Sequence, residues 1–128
     1  NSVFHRRVVR KMITAKETKQ RMIDEPRWWK IALMDLVDDF RYHKNPDAIS
    51  EPFELGDEQK DAVLAGTIET LCDELGIAIP DWLEEVPASS EPVFLSRVEA
   101  MKTFSLVESP APFRIRKVFV GENFLFRV

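Results

Sequence analysis

DEQKDAVLAGTIETLCDELG, residues 57–76, decides the fold. Leu64, Ile68, Leu71 and Leu75 recur at spacings of four, three and four, which draws one apolar stripe down a helix. Asp57 has the side chain to cap the first turn, and Gly76 can take the left-handed conformation just past the last one. Ala62, Gly66 and Thr70 form a second line, of small residues, on another face. A glycine inside a helix weakens it, so Gly66 implies that something packs closely there.

Upstream the same periodicity continues. Trp29, Leu33, Leu36 and Phe40 repeat at four, three and four, with Val37 and Trp28 widening the stripe into the core and Asp35, Asp38 and Asp39 lying off it. Pro26 suits the first turn of this helix, which is expected to run to about Tyr42. Residues 43–52 read as a polar, proline-broken connection. Thr14 and Glu17 make a capping box, so a helix either starts there or continues from an earlier one. In that earlier segment Val3, Phe4, Val8, Met12 and Ile13 share a face, with Arg6, Arg7, Arg10 and Lys11 around the rest.

Downstream, residues 77–80 form a short connector, 81–85 one or two helical turns and 87–92 a loop. Phe94, Val98, Met101 and Phe104 predict a helix from about Val93 to Val107. The closing tract, residues 109–128, crowds Phe113, Phe119, Phe124 and Phe126 among Arg114, Arg116, Lys117 and Arg127. Ser109 and Pro110 favour a short helix, whereas Pro112 favours an extended lead-in. Val118-Phe119-Val120 resembles a strand, but a lone strand lacks a pairing partner in a helical chain. A mostly irregular, short-helical tract is expected, with a small hairpin turning at residues 121–123 as the alternative. Phe113, Phe119 and Leu125 are expected to plug the core, with Arg114 and Arg116 facing acidic residues.

These elements predict a single all-α domain over residues 1–128, a bundle of about five or six helices with a basic N-terminal helical segment at 1–25. The length of 128 residues and the apolar share of 45% suit one core. No apolar run approaches the roughly 20 residues of a membrane span, and no secretory signal stands at the start. A cytoplasmic protein without membrane contact is expected. The chain begins at Asn1 rather than Met, which leaves room for upstream sequence.

Charge is partitioned. Residues 1–23 carry seven basic side chains against Glu17, a balance of +6; residues 101–128 stand at +3, which leaves −13 for the middle of a chain whose net charge is −4. The basic ends either complement the acidic centre within the fold or meet unlike partners. Arg6, Arg7, Arg10 and Lys11 are the candidate phosphate contacts, although the apolar stripe on the same segment requires part of it to be buried.

Catalytic and metal signatures are sparse. One cysteine, Cys72, and two histidines, His5 and His43, offer few ligands or nucleophile pairs. Asp35, Asp39 and His43 stand four apart on one helix and invite a cation, but a solvated acidic face produces the same spacing. Glu69 and Asp73 are read the same way. Cys72 flanks the Leu71 and Leu75 stripe as a small buried hydrophobe. There is no glycine-rich phosphate loop, GxSxG, HExxH or CxxC. No enzyme activity, cofactor or metal is expected. Of the three tryptophans Trp28 projects away from Trp29, so it either widens the core, the preferred reading, or marks an interface.

From about Trp28 onward the chain resembles an uncharacterised bacterial helical domain found alone or behind repressor-like helix-turn-helix regions, sometimes beside toxin–antitoxin genes. The resemblance is carried by Glu51-Pro52, by Asp61-Ala62-Val63-Leu64-Ala65, by Pro80-Asp81-Trp82, by residues 109–114, by Val118-Phe119-Val120 and by Asn123-Phe124-Leu125. Glu91-Pro92-Val93-Phe94 stands where that family has Pro-Trp-Phe. The resemblance implies a regulatory or partner-binding module and carries no catalytic residues. The leading expectation is thus a non-enzymatic protein-interaction module, antitoxin-like or self-associating, with Trp28 and the basic segment as contacts. A nucleic-acid-associated regulator is the alternative, and a small-molecule site near Trp82 and the closing tract a third.

Overall fold

The Thr14 hydroxyl accepts from Glu17 N–H while the Glu17 carboxylate accepts from Thr14 N–H, which closes the capping box and starts α1 (Ala15–Asp24). A helix therefore begins at this point, and Met12 and Ile13 lead into it. The computed structural model describes residues 12–94 and 111–120. Of the expected helix over residues 1–13, residues 1–11 lie outside them and Met12 and Ile13 are not helical; most of the helix expected over 93–107 and the hairpin alternative beyond residue 120 also lie outside them.

After α1 a 3-10 turn, Pro26–Trp28, feeds α2 (Trp29–His43), which ends on a left-handed Lys44. A second 3-10 turn, Pro46–Ile49, is held by the Asn45 side chain. Next comes α3 (Glu58–Leu75), with Asp57 Oδ1 accepting from Lys60 N–H and Gly76 at φ 68°, as its sequence requires. A third 3-10 turn spans Asp81–Glu85, and α4 (Ala111–Arg114) is a single helical turn. The protein is predominantly helical, with four α-helices among the described residues.

One expectation fails here. Val93 does not open a helix: β1 (Val93–Phe94) pairs in parallel with β2 (Val118–Phe119), Val93 opposite Val118. The apparent lone strand of the closing tract thus has a partner. Val93 N–H donates to Lys117 O at 2.8 Å, and Lys117 itself adopts φ 60°. A helix running on from Val93 would take Phe94 out of its pairing with Phe119, and the β-branched valines favour the strand.

The buried side chains of α1, α2 and α3 form one core with the closing tract. From α1 come Ala15 and Met22; α2 gives Leu33, Leu36, Val37 and Phe40; α3 gives Leu64, Ile68 and Leu71. Phe113 of α4 is fully buried, as are Val118 and Val120, whereas Phe119 is half-buried and Leu125 lies beyond the described residues. Gly66 explains the fit: a Cβ there would stand 2.6 Å from Phe113 Cδ1. The small-residue line of α3 therefore admits an aromatic ring from the closing tract.

Candidate functional site

Trp28 is the anchor of the candidate surface, and it is not in the core. It is 51% exposed, because the Pro26–Trp28 segment winds as a 3-10 turn and rotates its side chain off the stripe that Trp29 begins. The Arg27 guanidinium lies 5.2 Å from the Trp28 ring centroid, a cation–π contact in open solvent. Ile31, three residues on, is 45% exposed, and Ile23 at the end of α1 is 44% exposed. Two large apolar side chains and an arginine thus stand exposed within five residues at the start of α2, while Ile23 lines a groove with Lys16, Leu55 and Asp57. The other tryptophans are engaged: Trp29 packs on the core, and Trp82 donates from Nε1 to Ile49 O at 2.9 Å while meeting Phe53 edge-on.

Arg6, Arg7, Arg10 and Lys11, the candidate phosphate contacts, lie outside the described residues. Two further cations of the basic segment are consumed internally. Lys19 is buried against the Asp61 carboxylate and donates to Glu54 O at 2.5 Å, with its ammonium 5.4 Å from the Phe53 ring centroid. Asp61 also accepts from Gly56 N–H. Arg21 pairs with Asp35 at 3.1 Å. Charge complementarity between basic start and acidic centre is thus realised in part within the fold.

The acidic helix face divides. Asp35 is occupied by Arg21, Asp38 is exposed, and Asp39 is buried, contrary to its expected solvation. Its Oδ2 accepts from Ile13 N–H at 2.8 Å and lies 3.2 Å from His43 Nδ1. These partners pull the carboxylate inward and fix the approach to α1. Among the described residues no group of three His, Cys, Asp or Glu side chains is placed to hold a metal ion.

Cys72 is buried, as its position beside Leu71 suggests, and burial pushes its thiol up to about 11, with Asp73 and Glu69 adding repulsion. Such a thiol is a poor nucleophile. Glu69 does not pair with Asp73; it accepts from Arg116 Nη2 at 2.9 Å. Arg116 is buried beneath the closing tract, while Arg114 is exposed, so one of the two arginines turns inward. A cavity of about 470 Å³ opens beside Arg116, between the Asp81–Glu85 turn and Ile115. The buried charges Lys19, Asp61 and Arg116 gave no signal in the apolar periodicity. For Lys19, its place on the inner face of α1 beside Ala15 and Met22 was the available clue.

Comparison with known proteins gives no match: no family model, curated protein or solved structure matches the chain.

Proposed function

We infer that the chain is a regulatory module that works by binding another protein, with the Trp28 corner as its contact surface. The carrying observation is the solvent-exposed Arg27–Trp28 pair. Tryptophan and arginine are the residues that most often dominate interface energetics, and each gives up large contact area when a partner covers it. The resemblance of residues 28–128 to the bacterial helical domain supports the same role, antitoxin-like where a toxin gene adjoins and cytoplasmic. It acts through contacts rather than catalysis; the chemistry-bearing side chains Cys72, Asp39 and Arg116 are each buried in internal contacts. Nucleic-acid binding through Arg6, Arg7, Arg10 and Lys11 is the weaker reading, since Lys19 and Arg21 spend their charge within the fold.

The test is co-purification with the product of the adjacent gene, followed by titration of wild type and Trp28→Ala. Removing an anchor tryptophan is expected to weaken the complex by about 2 kcal/mol, roughly thirtyfold, with the melting temperature unchanged. An unchanged affinity, or no complex and no self-association, would refute the corner as the contact surface. Salt-sensitive binding to duplex DNA, lost in Arg6→Glu with Arg10→Glu, would favour the nucleic-acid reading instead.

A further inference from the structure

Between α1 and the extended segment that leads into α3 runs a groove of about 530 Å³. Lys16, Gln20 and Ile23 of α1 form one wall and residues 54–57 the other. Ile23 and Leu55, 44% and 48% exposed, face it from the two walls. Two large aliphatic side chains left open to one groove are apolar surface that a partner can cover.

The backbone of the second wall is unpaired. Residues 52–56 run without turn or bend and make no backbone–backbone hydrogen bond. Side chains hold them instead: Glu54 O accepts from Lys19 Nζ at 2.5 Å, and Gly56 N–H donates to Asp61 Oδ2 at 3.0 Å. In an extended chain the N–H and C=O of one residue point to one side and those of the next residue to the other. With Glu54 O and Gly56 N–H turned inward to the buried Lys19–Asp61 pair, the N–H and C=O of Leu55 turn outward. Neither makes a hydrogen bond among the described residues. One residue of an added antiparallel strand satisfies such a donor and acceptor together.

Charge narrows the choice of strand. Lys19 is answered by Asp61, Lys16 stands 3.8 Å from Glu51, and Asp57 pairs with Lys60 at 3.2 Å. The Glu54 carboxylate, exposed on the same wall as Leu55, has no counter-ion among the described residues. A cation next to the residue that pairs with Leu55 comes within its reach, as cross-strand neighbours do.

We propose that this groove receives an extended segment of a partner protein by strand addition, the segment carrying an aliphatic side chain flanked by lysine or arginine. Its backbone exchanges two hydrogen bonds with Leu55, its aliphatic side chain lies against Leu55 and Ile23, and a flanking cation meets Glu54. The groove shares no residue with the Trp28 corner, so either surface can fail without the other.

Amide NMR titration of the full chain with acetyl-threonyl-lysyl-leucyl-lysyl-threonine amide tests this. Saturable shifts are expected at the amides of Ile23, Leu55 and Gly56. Methylating the leucine nitrogen of the peptide removes one of the two backbone bonds and is expected to weaken binding about fivefold. Glutamate in place of both lysines is expected to weaken it more. Glu54→Gln removes an exposed charge and should weaken the lysyl peptide about threefold, with the melting temperature and the affinity for the N-methylated glutamyl peptide no lower than in wild type. Absence of saturable shifts at those amides, equal binding of the N-methylated peptide, or equal affinity for lysyl and glutamyl peptides would overturn the proposal. So would a dimer that forms when the chain alone is concentrated and shifts the same amides, because the occupant is then a second copy.

Discussion

Lys19 and Asp61 show how a single pair ties distant segments. Both are nearly inaccessible, at 3% and 2% of their full exposure, and they join α1 to the first turns of α3. The ammonium also holds Glu54 O and the carboxylate also holds Gly56 N–H, so the pair fixes the extended segment between the helices. Removing one member leaves the other charged in a low-dielectric interior, whereas removing both leaves only neutral groups unpaired. Asp61→Ala is therefore expected to cost about 3–5 kcal/mol. Lys19→Met with Asp61→Leu should cost about 1–3 kcal/mol, well below the sum of the single changes. Urea unfolding of the two single variants and the double variant measures this; additive losses would show that the pair is not coupled.

The helices owe their limits to local chemistry, and this is why they were legible. Asp57 and Gly76 bracket α3, and Thr14 with Glu17 starts α1, where the sequence places them. Partial burial pushes the Asp57 carboxyl up, but the Lys60 N–H, the Lys60 ammonium and Lys19 outweigh it and hold it below its ordinary value. A carboxyl lowered by folding stabilises the native state at pH values above its unfolded value, about 3.9, and loses that contribution as pH falls through the folded value. Asp57→Ala is thus expected to cost about 1 kcal/mol at neutral pH. The gap should narrow below the ordinary carboxylate range, while Asp57→Asn, which can still accept from Lys60 N–H, should show a flatter profile. Equilibrium unfolding at several pH values reads both, and a gap that widens in acid would contradict the assignment. What periodicity could not show is pairing across the sequence. Val93 becomes a strand because Val118 lies beside it, Asp39 is buried because Ile13 and His43 meet it, and Trp28 is exposed because a 3-10 turn breaks the helical phase. A small-molecule site near Trp82 and the closing tract was one expectation, but the carboxylates of Asp81 and Glu84 carried no signal for it, since the cavity forms only where the closing tract lies against the preceding turn.

At the scale of the molecule, the closing tract acts as the last layer of the core. Phe113 lies on the Gly66 backbone, Arg116 reaches Glu69, and Val118 and Val120 seal the remaining edge, so three kinds of contact converge on α3 and its surroundings. Truncating Phe113 to Ala alone is expected to cost about 3–5 kcal/mol, a large share of the roughly 5–15 kcal/mol that holds a domain folded. Gly66→Ala disturbs the same contact from the opposite side. Its methyl must displace a fully buried ring, at about 1–3 kcal/mol, against a gain of up to about 1 kcal/mol in helix propensity. Deleting residues 110–128 removes Phe113, Arg116, Val118 and Val120 together, leaves Glu69 without its arginine, and uncovers the apolar side of α3. The truncated chain is expected to lose its cooperative thermal transition and to expose apolar surface to a dye such as ANS, while Gly66→Ala keeps a cooperative transition at lower temperature. A truncated chain that melts as sharply and as high as the full one would show that α1, α2 and α3 close a core by themselves, and that the tract merely covers it.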